Sequence, residues 1–173
     1  MLKQLSPLLL LCLCIACTPA IASENFVTLN GKIFELNLAD STEKHLAGIP
    51  VEIWQEDSLI ATILTNEKGK YSAQLPFYHM YTVKYGHAPY VRKMIEVDAT
   101  DFAQHTQKRG YTISIDITLF TKEQCKGFDF LETVPIARAS YSKEEDSVVW
   151  NTQHIYNIHE RIGEAITGCR NTK

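Results

Sequence analysis

Apolar and polar residues alternate in short runs along the first two thirds of the chain, and turn residues separate the runs. The clearest run covers residues 111–120, where Tyr111 and the aliphatic residues at every second position share one face. A period of two is the repeat of a β-strand that buries one face. Similar runs predict strands at residues 26–36, 48–55, 59–65, 70–75, 80–85, 90–97 and 111–120. Short strands joined by frequent turns are typical of an antiparallel β-sandwich or barrel.

Two glycines in this region indicate special backbone geometry. Gly69 ends the segment Asn66-Glu-Lys-Gly69, which separates the third and fourth predicted strands. Glycine takes a positive φ without the strain that a β-branched residue meets, so the segment predicts a hairpin turn. Gly31 lies in the middle of the first predicted strand, which indicates a β-bulge or the close approach of another backbone segment.

The chain after residue 120 is irregular and then changes to a helical period. Residues 147–150 predict a short strand, and Asn151 or Thr152 is suited to cap a helix over about residues 153–167. Apolar residues recur in that helix at steps of three and four, and they form one face. These residues are Ile155, Ile158, Ile162, Ala165 and Ile166. We expect this face to dock on the sandwich, and an amphipathic helix that binds a partner is the alternative.

The first 22 residues have the pattern of a secretory signal peptide. Lys3 precedes an apolar core, and Ala20-Ile-Ala22 supplies small residues at a cleavage site. The pattern predicts cleavage after Ala22, and a lipoprotein signal that ends at a lipidated Cys17 is the alternative. The apolar run is shorter than the ~20 residues that span a bilayer, and no later segment is longer. We therefore expect an exported protein of the periplasm, the outer membrane or the extracellular space.

The cysteines fit export. Three of the five lie within residues 1–22, which leaves Cys125 and Cys169 after cleavage. An even pair in an oxidising compartment predicts one disulfide. Closing a loop of this length stabilises a fold by about 4 kcal/mol on the chain-entropy model. Two free thiols are the alternative.

The composition fits one ordinary domain with a modest extension. Apolar residues make up 45% of the chain and charged residues 21%, and the net charge is −3. Lysine and arginine are scattered along the sequence. A nucleic-acid partner would favour a clustered basic face, so none is predicted.

Residues that carry chemistry do not assemble into a recognisable centre. His154 and His159 are five residues apart, about 140° around a helix, so they do not share a face as ligands four apart would. The chain has no Gly-x-Ser-x-Gly elbow, no phosphate-binding loop and no His-Glu-x-x-His. We predict no catalytic residue, no metal ligand and no cofactor. A dispersed hydrolase site stays open, because the members of a Ser-His-Asp triad need not be neighbours in sequence.

Aromatic residues cluster around the fifth predicted strand. They are Phe77, Tyr78, Tyr81, Tyr85 and Tyr90. Exposed aromatic rings with polar neighbours bind sugar rings or protein partners. We predict that Tyr78, His79 and Tyr81 form a ligand-binding rim, and burial of the aromatic rings in the core is the alternative.

Several segments together resemble the carboxypeptidase-regulatory-like (prealbumin-like) β-sandwich domains. They are the first strand with Gly31, then Gly48-Ile-Pro-Val-Glu-Ile, Thr65-Asn-Glu-Lys-Gly-Lys-Tyr71 and Tyr81-Thr-Val-Lys-Tyr-Gly86. The resemblance covers residues 26–120. It implies a mainly β fold, a seven-stranded antiparallel sandwich, followed by an extension over residues 121–173 that ends in the amphipathic helix. Such domains are common in secreted and envelope proteins of Gram-negative bacteria, especially Bacteroidetes.

The resemblance implies a non-catalytic structural or binding module of the cell envelope, with a protein or a glycan as partner. A small hydrolase and an accessory subunit of an envelope complex are the alternatives, because one fold hosts unrelated tasks. Hydrolases of this fold that act on a purine breakdown product carry a C-terminal Tyr-Arg-Gly-Ser tail. This chain ends in Gly168-Cys-Arg-Asn-Thr-Lys173 and lacks that tail.

Overall fold

The protein is described here by a computed structural model, which covers residues 25–101 and 110–171. The predicted signal peptide and Cys17 lie outside the described residues. Within them the strands are, in chain order, β1 (Phe26–Leu36), β2 (Glu43–His45), β3 (Pro50–Gln55), β4 (Ser58–Leu64), β5 (Lys70–Pro76), β6 (Met80–Tyr85), β7 (Lys93–Asp98), β8 (Gly110–Ser114), β9 (Ile117–Leu119), β10 (Ala137–Ser142) and β11 (Ser147–Trp150). A 3₁₀ helix (Asp129–Glu132) precedes β10, and the helix α1 (Thr152–Asn171) follows β11.

The strands form two sheets that enclose one main core. In the first sheet, β1 pairs with β2 and β5 antiparallel, and with β8 and β9 parallel. The second sheet has the order β11-β10-β7-β6-β3-β4, and β10 runs parallel to β7. The fold is therefore a β-sandwich with a C-terminal helix, as the sequence predicts.

The inward faces of the strands supply the core. Ile53, Val83, Ile95 and Ala137 are paired across four neighbouring strands of the second sheet, and all four are buried. Fully burying an aliphatic side chain of the size of valine or isoleucine contributes about 1.5–3 kcal/mol. The alternation in the sequence thus predicts which face of each of these strands packs into the core.

The sheets differ from the prediction in strand number and direction. The sequence predicts a seven-stranded antiparallel sandwich and one further short strand, whereas the described residues form eleven strands in two mixed sheets. A period of two shows which face a strand buries, but it carries no information on the direction of its neighbour. The chain between β1 and β8, and the chain between β7 and β10, are each longer than the crossover that parallel pairing needs.

The predicted strand over residues 111–120 divides into β8 and β9 at Ile115 and Asp116. Asp116 Oδ1 accepts a hydrogen bond from the backbone N–H of Lys32 at 2.8 Å, and the Ile115 N–H donates to the Asn30 carbonyl. A Cβ added at Gly31 would lie 1.9 Å from the Ile115 carbonyl oxygen. The close approach predicted from Gly31 is therefore confirmed, and it occurs where the strand divides.

The turn at Asn66 and Gly69 forms, but it does not make a hairpin. Gly69 has a φ of +69°, and its N–H donates to the Asn66 carbonyl at 2.8 Å. Asn66 Oδ1 also accepts from the backbone N–H of Lys68 and Lys70. The two strands that the turn joins enter different sheets, because β4 pairs with β3 and β5 pairs with β1.

The second sheet continues beyond residue 120. The strand β11 matches the prediction at residues 147–150, whereas β10 was not predicted. β10 pairs with β7, so the predicted domain boundary marks no break in the sheet. Alternation in β10 is short and its inward residues, Ala137 and Ala139, are small, which leaves a weak hydrophobic signal.

Helix α1 docks on the sandwich, as its apolar face predicts. Asn151 Oδ1 accepts from the His154 N–H at 2.9 Å, and so caps the helix. Ile158 is buried in a second apolar cluster. The other buried members of that cluster are Val91, Phe120, Cys125, Phe128 and Leu131. The helix runs four residues beyond the predicted end, through Gly168.

The predicted disulfide joins Cys125 to Cys169, with Cα atoms 5.6 Å apart. It ties the last turns of α1 to the segment after β9. Along the described part of the chain, no helix has the length and apolarity needed to cross a bilayer.

Candidate functional site

Of the three residues of the predicted rim, two are exposed and one is buried. Tyr78 is 62% exposed, and His79 is also exposed, with its Nδ1 3.1 Å from Gln55 Nε2. Tyr81 is 1% exposed, and its hydroxyl donates to the Pro76 carbonyl at 2.8 Å. Tyr81 therefore belongs to the core, because the alternation of β6 turns it inward. Ligand binding at Tyr78 and His79 stays a prediction.

Tyr85 of the aromatic group pairs in the core with Tyr71, which lies on β5. Tyr71 and Tyr85 are buried with ring centroids 5.5 Å apart, and the Tyr71 hydroxyl donates to the Ile115 carbonyl at 2.8 Å. Burial raises the pKa of both hydroxyls. Both groups therefore stay protonated near neutral pH and act in packing.

The exposed edge of the second sheet carries a different surface. β4 is the terminal strand, and among the described strands it pairs with β3 alone. Its sequence, Ser-Leu-Ile-Ala-Thr-Ile-Leu, contains no charged residue and no proline. Leu59 is 49% exposed, Ile60 48% and Leu64 62%. We call this strand and its exposed apolar side chains the β4 edge.

The register of β3 and β4 shows which side chains of the β4 edge face outward. Leu59 lies opposite Trp54, whereas Ala61 lies opposite the buried Ile53, so Ile60 is the extra residue of a β-bulge. Leu64 lies opposite Pro50 at the other end of the strand. The outward side chains therefore form a strip along the sheet margin, in which Thr62 separates Ile60 from Leu64.

The charged side chains around Trp54, next to this strip, are already paired. Lys84 Nζ lies 4.1 Å from the centroid of the Trp54 ring, and Trp54 Nε1 donates to Glu52 Oε2 at 3.1 Å. The same Glu52 oxygen accepts from Arg92 at 2.6 Å. The polar groups around Trp54 are thus held by one another, and the β4 edge beyond them is apolar.

Lys93 is a buried charged residue at the start of β7. Its side chain is 8% exposed, its Nζ donates to the Thr118 carbonyl, and it lies 5.1 Å from the centroid of the Phe120 ring. None of the ion pairs among the described residues includes it. Burial lowers the pKa of Lys93 from 10.5 to about 8, because the charged form loses its hydration.

Lys93 lines a cavity of about 370 Å³ under helix α1. We call it the Lys93 cavity. Its walls come from α1, from the division between β8 and β9, from the start of β10 and from the end of β11. The apolar lining residues are Ile115, Ile117, Ile136, Ala137, Trp150, Ile155 and Ile162. The other lining residues are Ser114, Asp116, Thr118 and His159.

Another cavity, of about 380 Å³, lies beside the disulfide. Its lining includes Leu38, Gln124 and Ile166, and Gln124 Oε1 already accepts from the Leu38 N–H at 2.7 Å. No group of three or more metal-ligating side chains occurs within residues 25–101 and 110–171. The Lys93 cavity and the β4 edge are the two features that we develop below.

The sequence held signals for both features that the predictions did not use. Lys93 has the same parity as Val91, Ile95 and Val97, so the alternation already places it on the buried face. The uncharged run at residues 58–64 is visible in the sequence. Its place at a sheet edge is not, because that depends on the order of strands.

Comparisons with known proteins found no matching family model and no matching curated protein. Among solved structures, the TIE protein of Bacillus anthracis is 21% identical with a TM-score of 0.39, over 55% of this chain and 17% of that one. The minor pilin GBS52 of Streptococcus agalactiae is 13% identical with a TM-score of 0.39, over 57% of this chain and 45% of the pilin. The 5-hydroxyisourate hydrolase of Klebsiella pneumoniae is 17% identical with a TM-score of 0.33, over 53% of this chain and 89% of the hydrolase. The chain thus spans less than half the length of the first two.

Proposed function

We propose that the protein is an exported, non-catalytic binding module of the bacterial cell envelope, built on a carboxypeptidase-regulatory-like domain. Its partner is a protein, which adds an extended segment to the sheet along the β4 edge. The observation that carries this proposal is a terminal strand with no charge, no proline and three half-exposed aliphatic residues.

Export is supported by the signal pattern over residues 1–22 and by the disulfide. Cys125 and Cys169 are bonded in the structure, and disulfides persist in oxidising compartments. The sequence pattern and the bonded pair are independent observations that point to the same side of the inner membrane.

A terminal strand leaves a row of backbone N–H and C=O groups without strand partners. Soluble proteins usually protect such edges with lysine, proline or a short strand, because an open edge pairs with other chains. β4 has a bulge at Ile60, and residues 61–64 are regular and uncharged. An extended peptide that pairs there gains backbone hydrogen bonds, and its side chains contact the apolar strip.

The exposed aliphatic residues set the chemistry of the partner. Leu59, Ile60 and Leu64 are exposed along β4, with the exposed Thr62 between Ile60 and Leu64, and the charged groups around Trp54 are already paired. A partner segment that alternates aliphatic residues with small polar ones matches this surface. Exposed apolar strips of this kind mark protein interaction sites.

The test is chemical crosslinking with mass spectrometry on the complex recovered from the native envelope fraction. The wild-type protein is compared with Leu59→Lys and Leu64→Lys, which place charge on the edge. Tyr156→Lys is the matched control, since Tyr156 is as exposed as these residues but lies on α1. Circular dichroism establishes that each variant is folded.

We expect the wild type and Tyr156→Lys to retain one partner at fixed stoichiometry, with crosslinks near residues 58–64. The Leu59→Lys and Leu64→Lys proteins should lose it. Retention of the partner by both edge variants, or crosslinks concentrated away from β4, would show that this assignment is wrong.

A glycan ligand is the second candidate, and Tyr78 favours it. Tyr78 is exposed and directly precedes His79, which is hydrogen-bonded to Gln55, and an aromatic face with polar neighbours suits a sugar ring. Tyr78→Ala should then abolish binding on a glycan array. Unchanged array binding would remove this candidate.

A further inference from the structure

Helix α1 is fixed at both ends over the Lys93 cavity. Near its start, His154 Nε2 lies 2.7 Å from the Pro135 carbonyl oxygen. Near its end, the Cys125–Cys169 disulfide holds it to the segment after β9. Between these attachments, Ile155, His159 and Ile162 line the cavity, on one side of the helix.

The size and lining of the Lys93 cavity suit a small apolar molecule. Its volume of about 370 Å³ falls within the range of small-molecule sites, about 300–1,000 Å³. Five isoleucines and Trp150 form its walls. Ser114, Asp116 and His159 on its rim are exposed, so the cavity opens to solvent and a ligand can enter it.

The Lys93 ammonium supplies the polar end of the site. An ammonium group has three N–H donors, and within the described residues Nζ has the Thr118 carbonyl as its hydrogen-bond acceptor. Asp116 also lines the cavity, but it does not act as the anionic partner of Lys93. It is exposed, and its Oδ1 accepts from the Lys32 N–H. Burial alone accounts for the lowered pKa of Lys93. A buried cation without an anionic partner is costly, which favours binding of an anion.

We propose that the Lys93 cavity binds a small amphiphilic monocarboxylate, of the class of medium-chain fatty acids. The carboxylate pairs with the Lys93 ammonium, and the alkyl chain lies against the isoleucines and Trp150. Charge-assisted hydrogen bonds to a carboxylate are about twice as strong as neutral ones. A neutral alcohol of the same length contacts the same walls and can accept a hydrogen bond from the ammonium, but it supplies no negative charge.

The test is isothermal titration calorimetry of the full mature chain with octanoate and decanoate, and with decanol and decylamine as probes of the head group. Lys93→Met keeps the unbranched side chain, one atom shorter, and removes the ammonium group. Ile155→Trp adds volume to the cavity wall. Tyr156→Ala is the control on α1, because Tyr156 is exposed and does not line the cavity.

We expect decanoate to bind at least tenfold more tightly than decanol, and decylamine to bind weakest. Lys93→Met should remove the preference for decanoate while decanol binding stays, and Ile155→Trp should weaken both. The proposal is overturned if decanoate and decanol bind equally, if neither binds, or if Lys93→Met leaves decanoate binding unchanged. The β4 edge takes no part in these measurements, so their outcome is separate from that of the proposed function.

Discussion

Replacing Lys93 with methionine should stabilise the protein at neutral pH. Burial lowers the pKa of Lys93 from 10.5 to about 8, so the folded state holds this proton less tightly than the unfolded state does. At 1.36 kcal/mol per pKa unit, the charged lysine costs the fold about 3 kcal/mol near pH 7. Methionine avoids that cost but loses the hydrogen bond to the Thr118 carbonyl, worth about 1 kcal/mol. The net expectation is a gain of about 2 kcal/mol in the free energy of unfolding.

The gain should depend on pH with a defined sign. Between about pH 8 and pH 10.5 the unfolded state binds more protons at this residue than the folded state, so the wild type becomes more stable as pH rises. The advantage of Lys93→Met should therefore shrink to nearly zero by about pH 9.5. Higher pH is avoided, because the buried Tyr71 and Tyr85 lower stability once unfolded tyrosines ionise.

The assay is urea unfolding of the oxidised protein at a series of pH values from about 7 to 9.5. The wild type, Lys93→Met and Lys70→Met are compared, and the last removes an exposed lysine from β5. Lys70→Met should follow the pH profile of the wild type. The reasoning is refuted if Lys93→Met is less stable than the wild type near pH 7, or if their difference does not change with pH.

Three other changes test the packing of the fold by urea unfolding. Gly31→Ala should destabilise the fold by about 3 kcal/mol or prevent folding, because the added Cβ would lie 1.9 Å from the Ile115 carbonyl oxygen. A stability near that of the wild type would show that the two backbone segments are not in close contact. Replacing Cys125 and Cys169 together by serine should cost about 4 kcal/mol through the loop of 44 residues, and a loss below about 1 kcal/mol would contradict that. Thr65→Val should cost about 3 kcal/mol, because the buried hydroxyl accepts from the Ile49 N–H and donates to the Leu46 carbonyl. The control is Thr65→Ser, which retains the hydroxyl and should keep most of the stability.

The faces of the strands could be predicted from the sequence because they depend on local alternation. β1 and β6 have the predicted bounds, and Val27, Val51 and Val83 are buried as their parity requires. The same locality explains the failures. The partner and direction of a strand depend on long connections, so the parallel pairing of β1 with β8 left no mark in the sequence pattern.

The disulfide was predictable for a different reason. Removal of residues 1–22 leaves two cysteines, and the compartment then indicates that they pair. The structure places them 5.6 Å apart at Cα, which is within the usual range.

The candidate sites were harder to predict than the fold. The aromatic group suggested a rim, but a tyrosine in a strand is buried or exposed by its parity, and Tyr81 has the buried parity of β6. The binding roles proposed for Lys93 and β4 depend on their tertiary surroundings. Neither the helix that covers the cavity nor the terminal place of β4 in its sheet can be derived from local spacing.

Amide hydrogen exchange along β4, in the free protein and in the complex from the envelope fraction, tests the proposed function most directly. If a partner strand pairs with this edge, the amides of residues 61–64 that face away from β3 should exchange rapidly in the free protein and be protected in the complex. Amides of the same strand that bond to β3 should be protected in both states. Unchanged exchange along β4 in the complex, with new protection elsewhere on the surface, would contradict the account.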